Sequence, residues 1–273
     1  METGKKLIIT ADDFGLCREV NEAVAQAHVQ GVLTCASLMM GEAATDEAAA
    51  LAKRNPSLKI GLHLTLVEGH SVLSHEKIPN LVDEEGRFSD KIILSGIRYF
   101  FSRKLQKQIE AETRAQIEKF LGTGLKIDHL NSHNHLHIHP TILKIVIGLA
   151  KEYKISAIRL PFQRAYGSCY YMLVAKARRA LDKAGIRHND AIFGLKETGK
   201  MTLQAWEKIF PKINNNITEI YCHPATATVG VLQKTMPDYQ HAEELKALID
   251  PHLKELLKKY GIQRTTFGDI PHR

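Results

Sequence analysis

Five of the chain's 14 histidines fall between Asp128 and Pro140, in the run Asp-His-Leu-Asn-Ser-His-Asn-His-Leu-His-Ile-His-Pro. His133, His135, His137 and His139 alternate with other residues, and His129 keeps the same parity. In a strand, alternate side chains share one face, so this spacing predicts a wall of imidazoles. A packed core gains nothing from such a wall, because each buried imidazole needs hydrogen-bond partners. A metal site does gain, since neutral imidazole is the commonest metal ligand. The plainer alternative is a solvated or metal-buffering His-rich tract. Other reactive types stand apart from the run: Asp12-Asp13, His63 in Gly-Leu-His-Leu, Arg159 in Arg-Leu-Pro-Phe and His223 in Tyr-Cys-His-Pro. Two adjacent carboxylates repel, and a bound cation relieves that cost. Singly, each has a structural reading: a turn and helix cap, a satisfied core histidine, a surface ion pair. Together they fall at or near the C-terminal ends of predicted strands, the edge where α/β proteins assemble active sites. One carboxylate and two imidazoles at such an edge form a three-ligand set that leaves positions open for water and substrate.

The elements that must position these residues alternate along the chain. Lys6 to Ala11 is a continuous apolar run, as expected of a strand buried on both faces, and Val20 to Gln30 has helical spacing. Strands are expected over 32–40, 58–66, the His-rich run, 155–160, 191–193, 217–222 and 263–267. Helices are expected over 42–53, 105–121, 141–153, 168–184, from about 202, and over 242–260. Residues 67–90 lack periodicity and read as one long loop, a feature that is usually functional or mobile. Alternation from end to end predicts an α/β fold in one domain spanning 1–273: a single (β/α) barrel of seven or eight parallel strands, irregular or not. A doubly wound open sheet is the second choice.

Composition narrows the classes. The content of 44% hydrophobic and 25% charged residues suits a soluble globular chain. Lys and Arg total 37 against 30 Asp and Glu, a net +7 spread in short pairs rather than blocks, so no nucleic-acid partner is expected. Cys17, Cys35, Cys169 and Cys222 form no paired spacing, which argues against a cysteine metal site or disulfide scaffold and for a cytoplasmic home. No apolar run approaches a membrane span of about 20 residues, so contact with the inner membrane would be peripheral.

Thr10-Ala-Asp-Asp-Phe-Gly15, Gly61-Leu-His-Leu64, Asn131-Ser-His133 and Cys222-His-Pro224 resemble the motifs of the YdjC-type carbohydrate deacetylases over nearly the full chain. Arg159-Leu-Pro-Phe162 is similar to an element of the distantly related polysaccharide deacetylases. Ala36-Ser-Leu-Met39, Leu66-Val-Glu-Gly69, Leu81-Val-Asp83 and the run ending His137-Ile-His-Pro140 resemble the branch associated with hopanoid biosynthesis. The chitooligosaccharide deacetylases of the family more often carry Asp-Ser-His-His where this chain has Asn131 and Asn134. The resemblance implies a hydrolase that removes an N-acetyl group from an amino sugar, here one linked to a hopanoid lipid. It implies one divalent cation held by Asp13, His63 and His133, with Asp12 as general base and His223 as general acid. Family usage implies magnesium, whereas the ligand types suit zinc or another transition metal. Arg159 is expected to keep Asp12 ionised.

Alternate strand residues advance about 6.6 Å, so one ion cannot take His133, His135 and His137 together from an extended strand. His135 and His137 are therefore expected either to contact substrate or to support the groups that bind the metal, and His129 and His139 to be structural. Residues 92–107 mix apolar, aromatic and basic types, which fits packing on the core, a homodimer contact or docking on a membrane. Competing functions are a deacetylase of soluble chitooligosaccharides, a metal-dependent sugar isomerase on the same barrel, and a non-catalytic metal buffer.

Overall fold

The apolar run near the start forms strand β1 (Lys5–Phe14), buried from Leu7 onward. The computed structural model describes residues 4–163, 168–213 and 217–271. Among these, β2 (Cys35–Leu38), β3 (Lys59–Leu64), β4 (Leu130–Ser132), β5 (Ala191–Phe193), β6 (Ile217–Cys222) and β7 (Ile262–Thr265) join β1 in one seven-stranded sheet. The order is β4-β3-β2-β1-β6-β5, with β7 also on β1, and every pairing is parallel. Parallel strands bring all their C-terminal ends to one edge.

The helices are α1 (Arg18–Gln30), α2 (Thr45–Arg54), α3 (Ile92–Phe101), α4 (Arg103–Gly122), α5 (Pro140–Glu152), α6 (Ser168–Ala184), α7 (Leu203–Ile209), α8 (Val231–Thr235), α9 (His241–Ile249) and α10 (Pro251–Lys259). The helix expected over 242–260 is thus two. Pro251 has no N–H to continue α9, and Asp250 caps the new start by accepting from the His252 N–H at 2.8 Å.

The expected strand at 155–160 forms no ladder. Two isolated parallel bridges, Leu130 with Ile158 and Ala157 with Arg187, fall between β4 and β5. The Asn189 side chain takes the Leu160 N–H and donates to its carbonyl, at 2.7 and 2.9 Å, standing in for a neighbouring strand. The sheet is barrel-like, with this side held by single bridges and side-chain amides.

Alternation sorts side chains to two faces. Leu7, Ile9 and Ala11 join the main core cluster, while Ile8 packs with Cys35, Ala157, Ile217, Phe267 and Ile270. Thr10 and Asp12 share parity with Ile8, and Glu219, Tyr221 and His223 share parity with Ile217, so polar chemistry continues upward from this second, smaller cluster. Gly61 allows close packing there: a Cβ would stand 2.4 Å from the His129 ring.

The wall of imidazoles does not form. The β3–β4 ladder ends at Leu64 and Ser132, and residues His133–Ile138 turn into a short 3₁₀ segment. Asn134 and His135 are left-handed, with φ of 54° and 53°. Ser132 Oγ closes the turn by accepting from the His137 N–H at 2.8 Å.

Residues 67–90 are pinned by the polar face of α4. Glu112, fully buried, accepts from the N–H groups of Val72 and Leu73 at 2.8 and 3.0 Å. Gln116 bonds both backbone groups of Thr65, and Gln108 accepts from the Asn80 N–H.

Candidate active site

Adjacent residues on a regular strand point to opposite faces, yet Asp12 and Asp13 both serve one site. The register of β1 on β2 shifts between Ala11 and Phe14, and Asp13 takes the left-handed conformation at φ 61°. Such an irregularity re-aims a side chain, and Asp tolerates that backbone better than most residues.

Asp13 Oδ1, His63 Nε2 and His133 Nδ1 form a triangle with sides of 3.1, 3.4 and 3.0 Å. Donors about 2.1 Å from one cation stand about 3.0 Å apart at right angles and about 3.4 Å apart at tetrahedral angles. The three atoms therefore fit one small cation. Each imidazole also has its far nitrogen bonded to an oxygen: His63 Nδ1–H donates to Asn131 Oδ1 at 2.8 Å, and His133 Nε2 lies 3.3 Å from Glu68 Oε2. Bonds of this kind fix tautomer and ring orientation in metal sites. Asp13 Oδ2 is buried without a hydrogen-bond partner among the described residues, which an electropositive neighbour would satisfy.

Electrostatics point the same way. Burial raises the Asp13 pKa, but His133 and His63 hold it well below the usual carboxylate range. Burial lowers the His133 pKa, while Asp13 and Glu68 overcome that and push it up to about 10. The pair of carboxylates thus demands positive charge at this point.

Asp12 is 2% exposed. Arg159, fully buried, donates to its two oxygens at 2.5 and 2.9 Å, and Asn131 Nδ2 adds a third bond at 3.0 Å. Burial acts to raise the Asp12 pKa, and the Arg159 charge lowers it well below the ordinary value. The same guanidinium reaches Glu219, also buried, at 2.7 Å, and Tyr221 lies over it with its ring centroid 5.0 Å away. Two carboxylates hold Arg159 in its charged form, and Arg159 in turn keeps Asp12 anionic at rest.

His223 follows β6 and lines the same cavity of about 780 Å3 as Asp12, His63 and His133. Its backbone is held by buried Glu244, which accepts the His223 and Met201 N–H groups at 2.5 and 2.9 Å. Burial lowers the His223 pKa, so its protonated form gives up a proton more readily than an ordinary imidazolium.

The remaining histidines divide differently from expectation. His135 lines the cavity with its ring 5.1 Å from that of Tyr221 and its buried Nδ1 unpartnered. Of the two roles expected for His137, contact with substrate is corrected, because it does not line the cavity, and the supporting one is what its bonds allow. It is fully buried, with Nδ1 bonded to Ser132 Oγ at 2.8 Å and Nε2 to the Arg159 carbonyl at 2.9 Å. His129, expected to be structural, is stacked on Phe267 and bonded to Ser37, and its ring also meets Asp128 beside Cys35. His139, expected to be structural, lines the cavity as well.

Sequence spacing missed Glu68, Asn131 as a bridge, Glu219 and Glu244. Glu68 had one signal, its place in Leu66-Val-Glu-Gly69, but nothing local connects it to His133. A further feature unites the site: of five non-glycine residues with positive φ among those described, Asp13, Glu68, Asn134 and His135 are four. Backbone strain of this kind concentrates at functional sites.

The chain is similar to known proteins over nearly its full length. The profile of the YdjC-like protein family matches residues 6–259. A carbohydrate deacetylase of Brevibacillus brevis is 34% identical over 97% of this chain and 99% of its own length. One from Vibrio parahaemolyticus is 33% identical over 97% and 96%. A crystal structure from Enterococcus faecalis, provisionally named a cellobiose-phosphate cleavage protein, is 26% identical with a TM-score of 0.77, covering 97% of this chain and 98% of that one.

Proposed function

The chain belongs to the YdjC-like family, and from that premise we propose that it is a metal-dependent carbohydrate deacetylase, hydrolysing the amide bond of an N-acetyl amino sugar. The family match and full-length deacetylase relatives support the reaction class. The observation that carries the metal reading is the triangle of Asp13, His63 and His133 beside the anionic Asp12. When bound, a divalent cation lowers the pKa of its water toward about 7 and polarises the acetyl carbonyl. Two imidazoles favour zinc or another transition ion over the magnesium of family usage.

The chain's own groups divide the remaining work. Asp12, held ionised and oriented by Arg159, takes the proton of the attacking water on a carboxylate oxygen. Its depressed pKa makes it a weak base, so it serves only a water already made acidic. The water oxygen bonds to the carbonyl carbon, and the C–N bond then breaks. His223 must enter that step as imidazolium to protonate the amine, otherwise a very poor leaving group; the proton held by Asp12 afterwards restores the starting charges. His135 lines the cavity beside Tyr221, where its ring would pack against the sugar.

The substrate we propose is lipid-linked, of the hopanoid type. The wall of the cavity formed by Ile92, Ile93, Ile138, Leu173 and Met236 is apolar and suits an aglycone rather than a second sugar. The test pairs metal stoichiometry with acetate release from N-acetylglucosamine conjugates, with and without an apolar aglycone. Asp12→Asn is expected to keep the metal and lose at least about a thousandfold in turnover. His63→Ala or His133→Ala is expected to lose the metal itself. Normal turnover by Asp12→Asn would remove the assigned base, and an equal rate on soluble chitooligosaccharides would remove the lipid.

A further inference from the structure

We propose that the outer face of α3, with the basic stretch that follows it, docks on an anionic lipid surface and holds the mouth of the cavity against it. Helices normally bury their apolar face, and α3 does the reverse. Its buried residues are Ser95 and Tyr99, the latter donating to the Leu66 carbonyl at 2.8 Å. Ile93 and Phe101 are 82% and 78% exposed, and Leu94, Ile97 and Phe100 are about half exposed. Contiguous exposure of this kind marks an interaction surface.

The position of the face ties it to the cavity. Ile92 and Ile93, at the start of α3, line the cavity that holds Asp12 and His133. Leu173 of α6 lines it too, and its neighbours Tyr171 and Met172 are exposed. At the other end of α3, Phe100 borders an open groove between α4 and α5 with Arg103, Lys107 and Lys144. Glu110 and Glu152 also line that groove, with Glu152 paired to Arg114.

Charge selects the occupant. Residues 91–109 carry Lys91, Arg98, Arg103, Lys104 and Lys107 and no Asp or Glu. A symmetric contact with a second copy would set these cations against their own equivalents. An anionic bilayer neutralises them while its acyl boundary takes the apolar side chains, the pattern of an interfacial amphipathic helix. No described helix is long and apolar enough to cross a membrane. This inference rests on the cavity being the deacetylase site, and it adds how that site meets a lipid-linked sugar.

The experiment is co-sedimentation of the full chain with vesicles of phosphatidylcholine alone and of phosphatidylcholine mixed with phosphatidylglycerol. Binding is expected to be at least about tenfold stronger to the anionic vesicles and to weaken as salt is added. Ile97→Ser with Phe101→Ser, and separately Lys104→Glu with Lys107→Glu, are each expected to lower it about tenfold or more. Both variants should keep the wild-type melting temperature and acetate release from a soluble conjugate. Equal binding to both vesicle types, or binding untouched by the two variants, overturns the proposal. A dimer in sedimentation equilibrium that the serine variant splits into monomers overturns it in favour of self-association. Vesicle binding is read without turnover, so failure here is distinct from failure of the deacetylase reading.

Discussion

Glu68 illustrates what a single residue adds from a distance. It lies far from His133 in sequence, yet its carboxylate faces His133 Nε2 and also accepts from Asn134 Nδ2 at 2.6 Å. Glu68→Gln should weaken metal retention by roughly 10- to 100-fold while the fold persists, measured by competition with a chelator. His137 is the second case. Its burial lowers its pKa from 6.5 to about 3, so the folded state resists protonation that the unfolded state accepts. The stability this gives is complete above about pH 6.5 and declines as pH falls toward 3, by about 1.4 kcal/mol per unit. His137→Gln should flatten the acid limb of urea unfolding between pH 4.5 and 6.5, whatever its cost at neutrality. The meeting of Asp13, His63 and His133 was legible because each sits at a strand end, and parallel strands share one edge. Their oxygen partners were not, since Asn and Glu carry no mark of which distant imidazole they will face.

At the scale of elements, periodicity located most strands and helices; it gave no helix at α3 or α8, and it misread two segments where backbone groups are satisfied by side chains instead of ladders. Ser132 and Asn189 do this at 133–138 and 155–160, and no hydropathy pattern announces it. Helix α4 shows the same device used for positioning. Its row of Gln108, Glu112 and Gln116 fixes the 65–80 segment, and that segment leads through Glu68 to the site. Glu112→Ala leaves the Val72 and Leu73 N–H groups without their carboxylate, a loss of about 2–4 kcal/mol. The expected readout is faster proteolysis and hydrogen exchange across residues 67–90, with turnover falling more than the melting temperature implies.

For the whole molecule, the proposed cation would join three separate strand ends, a cross-link present only in the folded state. At a metal concentration of about 100 times its dissociation constant, stability should rise by about 2.7 kcal/mol, or several degrees in the melting temperature. A chelator should reverse the shift, and His63→Ala should abolish it. A flat response in the wild-type protein would speak against a resident cation. The left-handed turn at Asn134 and His135 has a different consequence. Asparagine is among the few residues that accept this backbone, so glycine at 134 would gain little there, and it would release Glu68 from its amide partner. The side chain at 134 thus ties the turn that ends the histidine run to the carboxylate facing His133, a link that a residue without an amide cannot make.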